Sequence, residues 1–336
     1  PSLRGLMNTA TLELKNVSKL YRVGKKEVHA LNPITFDLLG DPARIITVAG
    51  ESGSGKTTLA SIMLGLLGPT TGQVLYEGKD VSKLSGAQYR DFRKNVQAVF
   101  QDPFAVFNPF YQVDHLLEVP IRKFNPGLSK AARRKAMEEA LEAVGLQPSE
   151  ILGRYPHQLS GGQRQRINVA RAIVIKPKIL VADEPVSMVD ASLRANILEA
   201  LVSLRENYKV NILYITHDLT TAYHVSDSII VLYRGSVMEA GDITKVVESP
   251  QHPYTQLLIN SIPWPDLERK WDNQRYANPD IQEISGAGCK FYSRCPNRQP
   301  GCQVTPQLVP LFPRHLASCL LHQPQANLDS NLTQNL

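Results

Sequence analysis

Long apolar runs are absent from this sequence of 336 residues. No stretch reaches the roughly eighteen consecutive apolar residues that a membrane-spanning helix needs. The opening segment from Pro1 to Thr11 also lacks the apolar centre of a signal peptide. The sequence therefore predicts no membrane-spanning segment and a location in the cytoplasm. With 43% hydrophobic residues the chain can still bury an ordinary core, so we expect a globular protein.

Cysteine is missing from most of the chain, because all four cysteines lie after residue 288. This distribution excludes a disulfide framework for the main body and favours one local cluster. Prolines also concentrate beyond residue 248, which indicates a second, loop-rich unit. We predict that this unit spans 248–322, that 1–10 form an N-terminal extension, and that the polar segment 323–336 is a disordered tail.

A one-sided charge pattern is lacking as well. The 37 lysines and arginines and 31 acidic residues give a net charge of +6, but the two signs are interleaved, as from Lys130 to Glu142. No basic stripe and no row of aromatic residues accompanies the charge. Nucleic acid is therefore not an expected partner.

The fold class is predicted from alternating strand and helix patterns. Short alternating segments from Thr11 to Leu38 are typical of an antiparallel β layer. Four later apolar runs are predicted to be buried strands: Arg44 to Ala49, Lys178 to Ala182, Asn211 to Thr216 and Ser228 to Leu232. Strands separated by helices predict an α/β fold with a mostly parallel sheet. We expect this α/β core to span 11–247, with a helical subdomain inserted at about 89–174.

A glycine-rich loop, Gly-Glu-Ser-Gly-Ser-Gly-Lys-Thr, follows the first of these strands and leads into a helical pattern. Glycines let backbone N–H groups turn towards phosphates, and the helix N-terminus adds its positive end. A glycine-rich turn with a surface lysine is the alternative, and the flanking strand and helix argue against it. The loop is predicted to be a P-loop that binds ATP and Mg²⁺. Its contributing residues are Gly50, Ser52, Gly53, Ser54, Gly55, Lys56, Thr57, which also supplies a hydroxyl to the metal, and Thr58.

Two acidic residues, Asp183 and Glu184, end the predicted strand that begins at Ile179. Ligands of parallel sheets bind beyond the carboxyl ends of the strands, so these carboxylates are expected beside the phosphates. Asp183 is predicted to hold Mg²⁺, and Glu184 to polarise the attacking water. A helix-capping acid cluster is the alternative, which the P-loop makes the weaker one.

The segment Leu159-Ser-Gly-Gly-Gln163 precedes a strong helical pattern. Its serine and glycines would present a hydroxyl and free N–H groups to an anion, although an ordinary N-capped helix starts in the same way. Together with the P-loop and the acidic pair, in this order, the segment resembles the signature of the ABC ATPase family. The resemblance implies an ATP-hydrolysing subunit of an ABC transporter. It also implies that Ser160, Gly161, Gly162 and Gln163 contact the γ-phosphate held by a second ATPase subunit.

The resemblance implies further roles at positions that match the family pattern. Tyr21 would stack on adenine, and Gln101 would contact Mg²⁺ and the water while its loop senses the membrane subunit. His217 would hydrogen-bond the γ-phosphate and hold the catalytic Glu184 in register. Asp190 would contact the opposite subunit.

Three stretches resemble the oligopeptide and dipeptide importers, a branch that also includes importers of nickel and oligosaccharides: Phe100 to Pro109, Arg154 to His157 and His252 to Leu258. The resemblance implies an importer of peptides or oligosaccharides, with nickel also open, at the cytoplasmic face of the membrane. The implied partners are a second, paralogous ATPase subunit, two transmembrane permease subunits and an extracytoplasmic substrate-binding protein. A soluble ABC ATPase of DNA repair or translation is the alternative, although a single cassette without sustained heptads argues against it.

The four cysteines, Cys289, Cys295, Cys302 and Cys319, lack the close Cys-x2-Cys pairs of zinc fingers. Four thiolates in loops could hold an iron–sulfur cluster or zinc, or remain free. Some members of the importer branch carry a [4Fe–4S] cluster in this segment, so the resemblance implies that cluster, with zinc as the alternative. Because the cysteines lie far from the P-loop in sequence, we expect the cluster to take no part in hydrolysis.

Overall fold

The structure is a computed structural model that describes residues 10–24, 26–39, 42–102, 104, 106–262 and 288–322. All but the last residue of the predicted extension at 1–10, and the predicted tail at 323–336, lie outside the described residues. Within the described part of the chain, no helix is both long and apolar enough to cross a membrane.

Four antiparallel strands form the layer that opens the chain. They are β1 (Ala10–Val23), β2 (Lys26–Leu39), β4 (Thr71–Tyr76) and β5 (Lys79–Asp80), and they lie in the order β2-β1-β4-β5. Alternate residues of β1, such as Leu12 and Leu14, are buried because successive side chains of a strand point to opposite faces. The antiparallel layer predicted from the sequence is confirmed.

A second sheet carries the parallel core. Its strands in the described residues are β3 (Ile45–Ala49), β6 (Val96–Val99), β7 (Ile179–Asp183), β8 (Asn211–Thr216), β9 (Ser228–Tyr233), β10 (Ser236–Asp242), β11 (Val309–Phe312) and β12 (His315–Ala317). Their order is β11-β12-β10-β9-β3-β8-β7-β6, and β9, β3, β8, β7 and β6 run parallel. The predicted α/β class with a mostly parallel sheet is confirmed.

Both faces of the parallel strands are buried. In β8, Leu213 and Ile215 join the core on the side of the β layer, whereas Ile212 and Tyr214 join the core on the opposite side. This double burial explains why β8 is a continuous apolar run and does not alternate with polar residues.

Helices cover the sheet and form the inserted subdomain. The helices of the described residues are α1 (Lys56–Met63), α2 (Gly86–Asn95), α3 (Val113–Phe124), α4 (Lys130–Ala143), α5 (Pro148–Ile151), α6 (Gly161–Ile173), α7 (Ala191–Tyr208), α8 (Leu219–Val225), α9 (Ile243–Glu248) and α10 (Pro253–Asn260). The helical segment predicted from about 89 differs in one respect, because β6 lies inside it at the sheet edge. That strand has only four residues, too few for its pattern to be distinguished from a helix.

The residues after 288 join the same sheet. β12 pairs with β10 through Glu239, Ala240 and Gly241, and β11 pairs with β12. The segment predicted to be a separate loop-rich unit thus extends the edge of the ATPase sheet.

Candidate nucleotide site

The P-loop connects β3 to α1 in a conformation that requires glycine. Gly50 and Gly55 have φ values of 152° and 105°. A Cβ atom would lie 2.1 Å from the carbonyl oxygen of Leu232 at the first position, and 2.5 Å from that of Ala30 at the second. No acidic residue occupies the first turn of α1. The loop and the helix N-terminus therefore present N–H groups and positive potential to an anion.

The side chain of Lys56 is buried within its own loop. Its Nζ donates to the carbonyl oxygens of Gly50, at 2.7 Å, and Glu51, at 2.9 Å. Burial lowers the pKa of Lys56, and the carboxylates of Glu184, Asp183 and Glu51 oppose this shift. The loop thus fixes an ammonium group at the point where phosphates would supply its negative partner.

Asp183, at the end of β7, shares a side-chain hydrogen bond with Thr57 at the start of α1. Burial raises the pKa of Asp183, and the neighbouring Glu184 raises it further, whereas the hydrogen bond with Thr57 lowers it. Carboxylate and hydroxyl oxygens are the hard ligands that Mg²⁺ prefers. The pair therefore fits the predicted metal site.

Glu184 follows β7 and is oriented by two other side chains. Its Oε2 accepts a hydrogen bond from Nε2 of Gln101 at 3.0 Å, and its Oε1 lies 3.1 Å from Nδ1 of His217. Its backbone N–H donates to the carbonyl oxygen of Ile215 in β8 at 2.9 Å. The structure thus brings together the three residues predicted to be catalytic, although they come from distant parts of the sequence.

An open cleft of about 1140 Å³ is lined by residues of the P-loop and by these three predicted catalytic residues. The sequence-predicted residues that line it are Ser52, Gly53, Gly55, Lys56, Thr57, Thr58, Gln101, Glu184 and His217. Gly50 and Ser54 are buried members of the loop and are not among the residues that line the cleft. The cleft is large enough for a nucleotide, which typically needs a few hundred Å³.

Several cleft residues carried no signal in the sequence. Glu27 to Ala30 of β2, Arg234 after β9 and Lys290 from the C-terminal segment line the cleft, yet they belong to no motif. Tyr21 is not among the lining residues, but it pairs with Val28 in the ladder between β1 and β2 and lies beside that wall. Its role in stacking on adenine stays a prediction.

The signature residues lie at the start of α6, away from the cleft lining. Ser160 Oγ accepts a hydrogen bond from the N–H of Gln163 at 3.2 Å, and Gln163 Oε1 accepts one from the N–H of Ser160 at 3.0 Å. Ser160 and Gly161 are exposed, whereas Gly162 is buried, and a Cβ there would lie 2.6 Å from Cδ1 of Leu193. This capping box satisfies two backbone N–H groups at the start of α6. The exposed Ser160 and Gly161 are accessible at the surface of the chain.

Asp190 also lies outside the lining of the cleft, at the N-terminal end of α7. It is exposed, and its side chain makes no capping hydrogen bond to that helix. The contact with an opposite subunit stays a prediction.

The four cysteines lie in the described segment 288–322. Cys295, Cys302 and Cys319 are buried, and the N–H of the half-buried Cys289 donates to the carbonyl oxygen of Cys302 at 3.0 Å. Burial raises the pKa of Cys289 to about 12 and that of Cys319 to about 11, with smaller contributions from the other thiols. Among the residues that the structure describes, however, no group of three or more His, Cys, Asp or Glu could hold a metal ion. The thiols are gathered, but that geometry supports neither the iron–sulfur cluster nor zinc.

Comparisons with known families match both parts of the chain. The family described as "ABC transporter" matches residues 31–187, and the family described as "Oligopeptide/dipeptide transporter, C-terminal region" matches residues 238–302. The oligopeptide transport ATP-binding protein AppF of Bacillus subtilis is 37% identical, over 93% of this chain and 97% of that protein. The oligopeptide transport ATP-binding protein OppF of Salmonella typhimurium is 37% identical, over 89% of this chain and 90% of that protein.

Solved structures with this fold are ATP-binding cassettes. The dimeric cassette MJ0796, in a post-hydrolysis state bound to ADP and Pi, is 30% identical with a TM-score of 0.62, covering 69% of this chain and 98% of that one. The cbiO1 structure from Clostridium perfringens, part of the ABC transporter complex cbiONQ, is 26% identical with a TM-score of 0.63, covering 72% and 92%. The chain therefore belongs to the ABC transporter family, as an ATP-hydrolysing subunit that acts at the cytoplasmic face of the cell membrane.

Proposed function

We propose that this chain hydrolyses ATP to power an importer of oligopeptides. The support for peptides comes from the two relatives named as oligopeptide transport proteins and from the match to the oligopeptide/dipeptide C-terminal region. No relative named above is an oligosaccharide or nickel importer, so peptides are preferred over those substrates. A function in DNA repair or translation is not favoured, because both curated relatives are transport proteins.

The position of Glu184 carries the proposal for the chemistry. With one carboxylate oxygen bonded to Gln101 and the other close to His217, Glu184 lines the same cleft as the P-loop. In the proposed reaction it accepts a hydrogen bond from the attacking water and draws off its proton, while the other two side chains keep the carboxylate and the γ-phosphate in line.

The P-loop residues bind the phosphates through backbone N–H groups, and the ammonium of Lys56 pairs with the outer phosphates. Thr57 and Asp183 would hold Mg²⁺, with Gln101 close by in the cleft. When bound there, Mg²⁺ would offset the negative charge of the phosphates. Tyr21, beside the wall of the cleft, would stack on adenine.

The proposed partners are inferred from exposed residues that lie outside the cleft. Ser160, Gly161 and Asp190 are exposed and lie outside the cleft, which suits contact with the nucleotide of a second, paralogous ATPase subunit. In the segment that follows Gln101, Phe104, Phe110 and Tyr111 are 52%, 85% and 51% exposed, and such exposed apolar side chains suit docking onto a permease. Two permease subunits and an extracytoplasmic substrate-binding protein would complete the importer.

The substitution Glu184→Gln tests the hydrolytic role. We expect ATP binding to persist and turnover to fall on the order of a hundredfold or more, because the amide no longer accepts the proton of the water. Binding is measured by titration calorimetry and turnover by phosphate release. A variant that turns over ATP at the parent rate would show that Glu184 is not the catalytic base.

The substrate class is tested in the source organism. Deleting the gene should abolish uptake of a labelled tripeptide, and the parent gene should restore it, whereas a gene carrying Glu184→Gln should not. A labelled trisaccharide serves as the control. Uptake of the sugar that depends on this gene, with unchanged peptide uptake, would overturn the peptide assignment.

We also propose that the four cysteines hold a [4Fe–4S] cluster. Three of them are buried, and all lie in one short segment of the described residues. A [4Fe–4S] cluster takes four thiolate ligands, which matches the number of cysteines in this segment. Anaerobically purified protein should show broad absorption near roughly 400 nm and about four irons per chain. Stoichiometric zinc without iron or sulfide would contradict the assignment.

A further inference from the structure

Glu51 places a carboxylate inside a loop whose task is to bind a polyanion. It follows Gly50 directly and lines the same cleft as Lys56. An acidic side chain at this point would repel phosphates and compete with them for the ammonium of Lys56. The negative charge of the Glu51 carboxylate therefore needs a positive partner.

Arg294, from the C-terminal segment, is this partner. Its Nη1 lies 2.8 Å from Oε2 of Glu51 and its Nη2 lies 3.0 Å from Oε1, which is a bidentate ion pair across 243 residues of sequence. The guanidinium fork matches a carboxylate in both geometry and charge. The side chains are 34% and 38% exposed, so water screens the pair only in part.

The backbone of Glu51 is held from the same direction. Its N–H donates to the hydroxyl of Tyr254 in α10 at 2.9 Å. Tyr254 is fully buried, so this hydroxyl has a fixed position. The second residue of the P-loop is thus fixed by both its main chain and its side chain, and both partners come from beyond residue 248.

Aromatic rings fix the guanidinium itself. The central carbon of Arg294 lies 5.7 Å from the ring centroid of Tyr233 and 5.6 Å from that of Phe291. Phe291 is fully buried, and its centroid lies 5.4 Å from that of Tyr233 and 5.4 Å from that of Tyr254. The cluster connects the end of β9, helix α10 and the cysteine segment, so Arg294 approaches the loop from a rigid base.

We propose that Arg294 is a positioning residue of the nucleotide site: it pairs with the carboxylate of Glu51, keeps it turned from the phosphates, and so makes the P-loop competent for tight binding. The inference rests on the proposed ATPase function and deepens it. It makes the segment 288–322 part of the nucleotide site, which agrees with the presence of Lys290 on the wall of the cleft.

The test measures binding of MgADP, which is not turned over, to the full-length chain by titration calorimetry. Arg294→Ala should raise the dissociation constant about tenfold, because the freed carboxylate then repels the phosphates. Arg314→Ala is the matched control: it removes another arginine of the same segment, whose partner is Asp242, 3.6 Å away at the surface. The control should bind MgADP as the parent does.

A second variant separates neutralisation of charge from damage to the fold. Adding Glu51→Gln to Arg294→Ala should restore most of the lost affinity, because no carboxylate remains to be neutralised. Structural damage to the segment would not be repaired by that change. Unchanged affinity in Arg294→Ala, or equal weakness of the single and double variants, would overturn the inference. A parent chain that fails to bind MgADP would instead contradict the proposed function.

Discussion

The backbone of Glu184 is held in a strained conformation. Its φ of 45° lies in the left-handed region, which costs a residue other than glycine about 1–3 kcal/mol. The bond from its N–H to Ile215 and the contacts of its carboxylate with Gln101 and His217 hold it there. The strained residue is the one that we propose as the catalytic base, and strain of this kind tends to be retained at functional sites.

Asp183 is expected to trade stability for function. Its pKa is raised by burial and by Glu184, so the ionised carboxylate destabilises the folded chain above that pKa. Asp183→Asn should therefore raise the Tm of the nucleotide-free protein by roughly 2–4 °C at pH 7, which corresponds to about 1 kcal/mol. The same change should abolish most of the stabilisation that MgATP gives the parent, because a carboxylate ligand is lost. Differential scanning fluorimetry with and without MgATP measures both effects.

The pH dependence provides the control for this prediction. A raised carboxyl pKa costs stability in full above the folded value and costs nothing below the unfolded value, which is near 3.8. The difference in Tm between Asp183→Asn and the parent should thus narrow as the pH is lowered towards 4. A difference that stays constant with pH would mean that the charge of Asp183 is not its cause.

At the scale of single residues, the sequence predicts those that belong to a local motif. It does not predict the residues that reach the cleft from elsewhere in the chain. Lys56, Asp183 and Glu184 stand in contiguous patterns whose spacing follows from phosphate and metal chemistry. Arg294 and Lys290 reach the cleft only because the fold returns the chain to it, and no local pattern marks an arginine as the partner of a residue 243 positions away. The expectation that a cluster held by the cysteines takes no part in hydrolysis rested on sequence distance and stays a prediction, although Arg294 of the same segment contacts Glu51 of the P-loop.

Helix α6 joins the signature to the packing of the helical subdomain. The buried Gly162 leaves no room for a Cβ beside Leu193, so its substitution would disturb α6 and α7 as well as any contact with a partner. The exposed Ser160 is the cleaner probe, since only its capping interaction with Gln163 is at risk within the chain.

Ser160→Ala tests the role of this helix end in trans. We expect unchanged MgADP binding by the same chain, a loss of about 1 kcal/mol in stability and a fall in turnover of the assembled transporter of roughly tenfold or more. Ser129→Ala is the matched control, because Ser129 caps α4 by accepting from the N–H of Ala132 at 3.2 Å. If both variants slow turnover equally, the loss of a cap explains the effect and the signature has no special role.

Strands with strong apolar patterns were predicted correctly, whereas β4 and β10, of six and seven residues, and several shorter strands were missed. The strands β3, β7, β8 and β9 are buried on both faces and appear as apolar runs. β6 has four residues, and β11 and β12 have four and three. Strands this short are defined by the neighbour with which they pair, so their own sequences carry too little information.

At the scale of the whole molecule, the predicted ATPase core and the predicted C-terminal unit contribute strands to one sheet. β12 continues the edge of the core through β10, and the buried carboxylate of Glu239 accepts hydrogen bonds from the N–H groups of Gln251 and His252, each at 2.8 Å. Its Oε1 also lies 2.6 Å from Nε2 of His315 in β12. The carboxylate of Glu239 is fully buried and therefore needs hydrogen-bond partners. β12 supplies one of them through His315.

Removing the C-terminal segment should therefore damage the ATPase itself. A chain that ends at residue 262 loses β11 and β12, leaves Glu239 without His315 and leaves Glu51 without Arg294. We expect its Tm to fall by roughly 5–10 °C and its affinity for MgADP to drop at least as far as in Arg294→Ala, measured by scanning fluorimetry and calorimetry. A chain that ends at 322 retains both strands and both contacts, so it should match the parent. Parental Tm and affinity in the shorter chain would instead establish the segment as an independent unit, because a strand that contributes to the core cannot be removed without cost.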